Sequence, residues 1–267
     1  MQPWVLIPTG YGLNCEDETA HSFVLSGARV NKIHLSDIFA KPIILSDYQI
    51  LAMVGGFSFG DHIAAGRVLA NRYKYFLSEE LKRFIGEGKL IIGLCNGFQS
   101  MVDYGLVPGF DGDYLSQLVS LVPNNSGVFE DRWITLKANP DSPCIFTRGI
   151  NLLSLPIRHG EGNFTTMDEN VLAKLRLNKQ IAFQYVDPST GKPTQAYPLN
   201  PNGSVDAIAG ICDPNGRVFG MMPHPEAYNS PYNHPNWIHQ RSEGSLPEEG
   251  LGLQIFKNAV AYIRDNF

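Results

Sequence analysis

The sequence lacks several features that would assign the chain to another class of protein. Its 267 residues contain no apolar run long enough to span a membrane, and residues 1–10 lack the basic start of a signal peptide. Lysine and arginine number 21 against 26 aspartates and glutamates. The net charge of -5 gives no sign of the excess of basic residues that is typical of nucleic-acid-binding proteins. We therefore expect neither a membrane protein nor a nucleic-acid-binding protein.

Cysteine is also scarce. The chain has four cysteines, which are Cys15, Cys95, Cys144 and Cys212. They form no Cys-x-x-Cys pair and are too scattered for a disulfide framework, which argues against a zinc ribbon or a thioredoxin-like motif. The spacing of His224, His234 and His239 fits no compact zinc pattern either. We expect no metal site, and a cytoplasmic location in which free thiols stay reduced.

Strands and helices alternate in the first hundred residues. The hydrophobic content of 43% is enough for a sizeable core. Short apolar runs predict strands at 4–7, 30–35, 50–54 and 90–94. An amphipathic helix is predicted at 17–27 with Ala20, Phe23 and Val24 on one face, and another helix is predicted at 78–86 with Ser78 as its cap. This alternation predicts an α/β protein with a parallel sheet built from βαβ units.

The second half of the chain is richer in hairpin signals. Strands are predicted at 132–138, 151–156, 181–186, 205–212 and 217–222, with a strong turn signal at 213–216 between the last two. They predict an antiparallel extension of the sheet, and an amphipathic helix at 251–263 closes the chain. Residues 1–267 are interpreted as one domain. The irregular segment 228–249 is either a surface loop or a lid that docks a partner.

One cysteine has the context of a nucleophile. Cys95 lies between the apolar strand 90–94 and a predicted helix, and Gly93 and Gly97 flank it in a Gly-x-Cys-x-Gly pattern. A sharp strand-to-helix turn displays a nucleophile at the sheet edge, beside the backbone N–H groups and positive dipole of the helix, which favour a thiolate. The other cysteines are better explained by packing. Cys15 follows the first strand, however, and is expected at the same sheet edge.

A cysteine nucleophile needs a base, and the base needs an orienting group. His224 and Glu226 follow a predicted strand and are two residues apart, so the carboxylate can hold the imidazole. His159 and Glu161 form a second pair of the same spacing and are an alternative.

Acyl transfer also needs donors for the oxyanion. Gly55-Gly56 ends the strand 50–54 at the sheet edge where α/β proteins place ligands. A backbone N–H group there, which no side chain covers, is one candidate donor. The N–H group of Asn96, directly after the nucleophile, is the natural second donor.

These motifs resemble those of the class I, or triad, glutamine amidotransferases. More narrowly, the chain resembles the glutaminase subunits of phosphoribosylformylglycinamidine synthase, through the segments 55–61, 132–133, 155–162, 200–204, 208–211 and 220–226. The resemblance covers nearly the whole chain. It implies a flavodoxin-like α/β fold with a central, mostly parallel sheet, an antiparallel extension and flanking helices.

The resemblance also implies a mechanism. Cys95 would attack the side-chain amide of glutamine to form a thioester, His224 would protonate the leaving ammonia and then activate water, and Glu226 would orient His224. The implied substrate-binding residues are Gly56, Asn96 and Gln99. The resemblance assigns His159 and Glu161 to a loop near the glutamine site.

The implied partners are a large synthetase subunit and a small bridging subunit. The large subunit would use ATP and Mg²⁺ to convert formylglycinamide ribonucleotide to its amidine in purine biosynthesis, and this chain would need no cofactor. Three alternatives are a glutaminase subunit of another amidotransferase, a non-catalytic docking subunit, and a peptidase of the same fold. The intact triad argues against a docking subunit, and Gln99 with the segment 201–204 argues against a peptidase.

Overall fold

The computed structural model describes residues 1–267 and is built on a ten-stranded sheet. The strands are β1 (Trp4–Thr9), β2 (Arg29–His34), β3 (Ile50–Met53), β4 (Leu90–Leu94), β5 (Val119–Pro123), β6 (Glu130–Ala138), β7 (Leu152–His159), β8 (Glu161–Thr166), β9 (Ile181–Asp187), β10 (Lys192–Pro193), β11 (Ile208–Cys212) and β12 (Val218–Met221). The helices are α1 (Glu16–Leu25), α2 (Leu35–Ala40), α3 (Arg67–Gly86), α4 (Asn96–Tyr104), α5 (Glu169–Leu177), α6 (Trp237–Ser242) and α7 (Leu253–Asn266).

The large sheet has a parallel half and an antiparallel half. Its order is β2-β1-β3-β4-β12-β11-β9-β6-β7, with β10 paired to β9. The strands from β2 to β12 in this order run parallel, whereas β11, β9, β6 and β7 pair antiparallel. The predicted parallel sheet with an antiparallel extension is confirmed. Strand β12 joins the halves, and it lies directly beside β4.

The middle of the sheet is fully buried. Every residue of β3, β4, β11 and β12 is inaccessible to solvent, as expected for apolar strands that are covered on both faces. These strands belong to a single hydrophobic core of 69 buried residues. Helices α1 and α7 pack on each other, and α3 packs on α4. The carboxyl ends of β3, β4 and β12 are therefore held in place by the packed core.

The prediction for the start of the long helix is wrong. Helix α3 begins at Arg67, eleven residues before the predicted start, and Gly66 precedes it with a φ of 79°. Ser78 lies inside the helix, where its hydroxyl donates a hydrogen bond to the carbonyl of Lys74 instead of capping the first turn. The helix extends toward the N-terminus because Tyr73 and other apolar side chains of its first half pack into the core.

The three apolar residues that were predicted to share one face of α1 differ in burial. Phe23 is buried, but Ala20 is only half-buried and Val24 is 55% exposed. Thr19 and Ser22 take the buried positions, because each hydroxyl donates to the backbone carbonyl four residues earlier and so loses no hydrogen bond on burial.

Two further regions differ from the prediction. Residues 205–207 form a short 3₁₀ turn, so β11 begins only at Ile208. Strands β5 and β8 form a separate two-stranded antiparallel sheet that was not predicted. Within 228–249 the chain forms a 3₁₀ turn (Pro231–Asn233) and α6, and most of its side chains are exposed.

The single domain at 1–267, the role of 228–249 as a loop or lid, and the cytoplasmic location stay predictions. None of the helices has the length and apolar character needed to cross a membrane.

Candidate active site

Cys95 occupies a strained turn between β4 and α4. Its φ of 50° and ψ of -108° are unusual for a residue with a side chain. The backbone N–H of Cys95 donates to the carbonyl of Met221 in β12 at 2.9 Å, and its carbonyl accepts from the N–H of Gln99 at 3.0 Å. These two hydrogen bonds hold the strained conformation, as is common at functional sites.

The glycines of the Gly-x-Cys-x-Gly pattern let α4 lie close to the sheet. A methyl group on Gly97 would lie 1.9 Å from the carbonyl oxygen of Met53 in β3, and one on Gly93 would lie 2.1 Å from Sδ of Met101. Any side chain at either position would push the helix away from the strands. The turn that displays Cys95 therefore depends on both glycines.

His224 and Glu226 follow β12, the strand next to β4. Nδ1 of His224 lies 2.6 Å from Oε1 of Glu226, and both side chains are buried. A carboxylate only accepts hydrogen bonds, so Nδ1 donates and Nε2 is left for another partner. Burial lowers the pKa of His224, but the charges of Glu226 and Cys95 and the hydrogen bonds with Cys15 and Cys95 together raise it more, so the net pKa lies well above its ordinary value. The pair is suited to hold and transfer a proton.

The side chains of Cys95 and His224 converge on Gly55. A methyl group on Gly55 would lie 3.1 Å from Cε1 of His224, 3.4 Å from Cβ of Cys95 and 3.0 Å from Sγ of Cys15. A cavity of about 130 Å³ opens at this point. Its lining residues are Asn14, Cys15, Gly56, Phe57, Cys95, Phe129, Arg158 and His224.

Two backbone N–H groups beside Cys95 are available for an oxyanion. Neither the N–H of Gly56 nor that of Asn96 makes a hydrogen bond within the protein. Asn96 is the first residue of α4, where backbone N–H groups have no partner in the helix. Gly56 has a φ of 146°, and a methyl group there would lie 2.6 Å from the carbonyl oxygen of Gly12, so only glycine fits.

Gln99 does not line this cavity. Its Nε2 donates to the backbone carbonyl of Glu161 at 2.5 Å, and its Oε1 accepts from Nδ2 of Asn96 at 3.0 Å. The same Nδ2 also donates to Asp61 at 3.2 Å. These bonds tie the first turn of α4 to the neighbouring loops. Direct contact of Gln99 with a substrate stays a prediction.

The alternative pair, His159 and Glu161, is not joined in the structure. Nδ1 of the buried His159 lies 3.1 Å from Oδ1 of Asn124, whereas the carboxylate of Glu161 accepts from the N–H of Ala65 at 3.2 Å. Burial, together with the charge of His224, lowers the pKa of His159 to about 3, so this imidazole stays neutral. A neutral imidazole without a carboxylate partner is poorly placed to act as the base. The geometry favours His224 and Glu226.

Cys15 lies closer to the candidate triad than its sequence context indicates. Its Sγ, a ring nitrogen of His224 and a carboxylate oxygen of Glu226 all lie within 4.8 Å of one another. Burial raises the pKa of Cys15, which favours the protonated thiol. The only signal in the sequence was the position of Cys15 after a strand that ends at this edge. Cys144 and Cys212 have no exposed surface, as expected for packing.

Arg158 and Phe129 also line the cavity. Arg158 lies in the segment 155–162 that carries the family resemblance, whereas the sequence carried no local signal for Phe129. The thiol of Cys95 lies 3.8 Å from the backbone carbonyl of Arg158. The remaining histidines of the C-terminal segment are engaged elsewhere. His234 packs on aromatic rings, and His239 pairs with Glu243 at 3.3 Å.

Comparison with known proteins identifies the family. Residues 2–263 match the model of the CobB/CobQ-like glutamine amidotransferase domain. The phosphoribosylformylglycinamidine synthase subunit PurQ of Methanococcus maripaludis (strain C5) is 45% identical over 98% of this chain and 99% of its own length. The chain belongs to the PurQ family. The PurQ subunit of Dehalococcoides mccartyi is also 45% identical, over 95% of this chain and 94% of its own.

A solved structure supports the same assignment. One chain of the structure of PurLQS from Thermotoga maritima superposes with a TM-score of 0.71 at 26% identity, and the match covers 98% of this chain and 100% of that one. The family resemblance and the flavodoxin-like α/β fold of the class I glutamine amidotransferases are confirmed.

Proposed function

We propose that the chain is the glutaminase subunit of a phosphoribosylformylglycinamidine synthase in purine biosynthesis. It hydrolyses L-glutamine to glutamate and ammonia and delivers the ammonia to a synthetase subunit. One observation carries the chemical part of the proposal. The strained Cys95 turn and the buried His224–Glu226 pair, with its 2.6 Å hydrogen bond, meet at one cavity at the edge of neighbouring strands.

The reaction begins with attack of the Cys95 thiolate on the amide carbon of glutamine. The negative charge that develops on the amide oxygen is stabilised by the free N–H groups of Gly56 and Asn96. Nε2 of His224 gives its proton to the amide nitrogen, the carbon–nitrogen bond breaks, and ammonia leaves. The product on the enzyme is a thioester between Cys95 and the glutamyl group.

The second half of the reaction regenerates the enzyme. His224 removes a proton from water, the hydroxide attacks the thioester, and glutamate leaves as the carbon–sulfur bond breaks. Glu226 holds Nδ1–H throughout, so Nε2 keeps facing the reacting atoms. The burial of both side chains strengthens this hydrogen bond by excluding water.

The proposed partners are a large synthetase subunit, which binds ATP and Mg²⁺, and a small bridging subunit. One observation supports a partner at the mouth of the cavity. Phe57 and Phe129 line the cavity, yet they remain 48% and 51% exposed. Large exposed aromatic side chains around a functional site are typical of an interface. The ammonia product also needs a path that excludes bulk water.

Covalent trapping tests the chemistry. A glutamine analogue with an electrophilic side chain should label the chain in the presence of the synthetase subunit, and Cys95→Ala should abolish the labelling. Cys144→Ala is the matched control, because Cys144 is a buried cysteine away from the cavity. Failure to label the assembled wild-type complex would contradict the proposal.

A second comparison tests the choice of base. His224→Ala should lose glutamine hydrolysis in the assembled complex, while His159→Ala should retain a substantial part of it. The opposite result would assign the triad to His159. Co-purification with the synthetase subunit, with ammonia release measured with and without that subunit, tests the partnership and the dependence on it.

A further inference from the structure

The imidazole of His224 has two thiols beside it. Sγ of Cys15 lies within 4.8 Å of a ring nitrogen of His224, and the Cys95 side chain approaches from the other strand. All three side chains come within 3.0–3.4 Å of the point where a methyl group of Gly55 would stand. The proposed hydrolysis uses one of these thiols. It gives no role to Cys15.

The three side chains around this point carry the kinds of donor atom that zinc prefers. Thiolate sulfur and imidazole nitrogen are the commonest ligands of Zn²⁺ in proteins, and two cysteines with one histidine and a water molecule are an established set. The histidine of a zinc site almost always donates its other ring N–H to a carboxylate or carbonyl. Glu226 already provides that partner for Nδ1 of His224 at 2.6 Å.

The spacing of Cys15 and His224 is compatible with two ligands of one tetrahedral ion. Zn–S and Zn–N bonds of about 2.3 and 2.0 Å place ligand sulfur and nitrogen atoms about 3.6 Å apart. Sγ of Cys15 and the His224 nitrogen are within 4.8 Å, so rotation of the thiol closes the difference. The absent side chain of Gly55 leaves room between the ligands. The adjoining cavity of about 130 Å³ gives access for the ion and a water ligand.

We propose that Cys15, Cys95 and His224 form an inhibitory binding site for Zn²⁺ or another thiophilic divalent cation. Glu226 holds the imidazole in this site as it does in the free protein. Binding needs both sulfurs as thiolates and Nε2 of His224 without its proton, so the protons on these atoms leave to water. The ion ties up the Cys95 sulfur and the His224 nitrogen, so the ion and glutamine exclude each other. The ion affinity is measured directly and does not depend on the proposed function.

Competition with a zinc indicator tests the ligand set on the purified chain. The Cys15→Ala variant should bind Zn²⁺ at least about tenfold more weakly than wild type, since even loss of an outer-shell partner costs this much. Cys95→Ala should show a similar loss, and Cys144→Ala should bind like wild type. Equal affinity of Cys15→Ala and wild type would overturn the proposal.

A second measurement needs no substitution. Alkylation of each cysteine by iodoacetamide is quantified by mass spectrometry, with and without excess Zn²⁺. The ion should protect Cys15 and Cys95 in parallel, and the fully buried Cys144 and Cys212 serve as internal controls that the fold is unchanged. Protection of Cys95 without protection of Cys15 would show that Cys15 is not a ligand.

Discussion

His159 makes the stability of the fold sensitive to acid. Its imidazole is buried at the end of β7, where burial and the charge of His224 lower its pKa from 6.5 to about 3. In the unfolded chain the imidazole takes up a proton near pH 6.5, whereas in the folded chain it stays neutral until about pH 3. Its contribution to stability is therefore present above pH 6.5 and is lost as the pH falls toward 3.

The size of the effect follows from the two pKa values. Each pKa unit corresponds to about 1.4 kcal/mol. Between pH 7 and pH 5 the imidazole of the unfolded chain goes from about one quarter protonated to almost fully protonated, while that of the folded chain gains almost no proton. The free energy of unfolding should fall by about 2 kcal/mol over this range because of His159. His224 acts with the opposite sign, since its pKa is raised. That contribution is common to wild type and a His159 variant, so it cancels in their difference.

Urea unfolding of wild type and His159→Gln at pH 7, 6 and 5 measures this difference. The variant should be the less stable protein at pH 7, because it loses the packing and the hydrogen bond to Asn124. The gap should then narrow by about 2 kcal/mol at pH 5. His21→Gln, which changes an exposed histidine of α1, should follow the pH dependence of wild type. A gap for His159→Gln that stays constant from pH 7 to pH 5 would refute the reasoning.

Three further predictions concern the candidate site and the turn that displays it. Glu226→Gln should lower kcat for glutamine hydrolysis in the complex by roughly 10³–10⁴-fold with little change in KM, because the amide no longer stabilises a charged imidazole; unchanged kcat would remove Glu226 from the mechanism. Gly55→Ala should lower kcat at least about tenfold while the melting temperature is kept, because the added methyl group displaces the reacting side chains. Gly97→Ala should cost about 3 kcal/mol of stability or more in chemical denaturation, because its methyl group meets the Met53 carbonyl, whereas Gly86→Ala, with no atom within 4 Å, should not destabilise the fold.

The parts of the fold that could be predicted are those whose pattern is local. Strand β4 is a continuous apolar run between glycines, and its burial on both faces follows directly from that pattern. Strands β5 and β8 carry mixed polar and apolar residues and pair across some forty positions, so no local signal marks them. The start of α3 was missed because Ser78 is a good cap by composition, while the packing of Tyr73 that extends the helix exists only in the folded chain.

The candidate site also has parts that local sequence patterns predict and parts that only the fold creates. The Gly-x-Cys-x-Gly turn and the His-x-Glu pair are each compact in sequence, so local patterns are enough to predict Cys95, His224 and Glu226 as the triad. The approach of Cys15 to His224 is created by the fold, which brings the loop after β1 to the end of β12. The sequence also could not show that the amide of Gln99 is bonded to Glu161 and Asn96. Side-chain orientation depends on neighbours that are distant in the chain.

The position of β12 between β4 and β11 also affects the synthesis of the protein. At about 5–20 residues per second, a ribosome needs on the order of 10 s to add the roughly 130 residues between Cys95 and His224. A nascent chain thus carries the Cys95 thiol well before the imidazole of His224 that is proposed to activate it. Because β12 must insert between two strands made earlier, the first four strands cannot complete the site alone. Truncated chains from interrupted translation would therefore leave glutamine intact and release no ammonia into the cell.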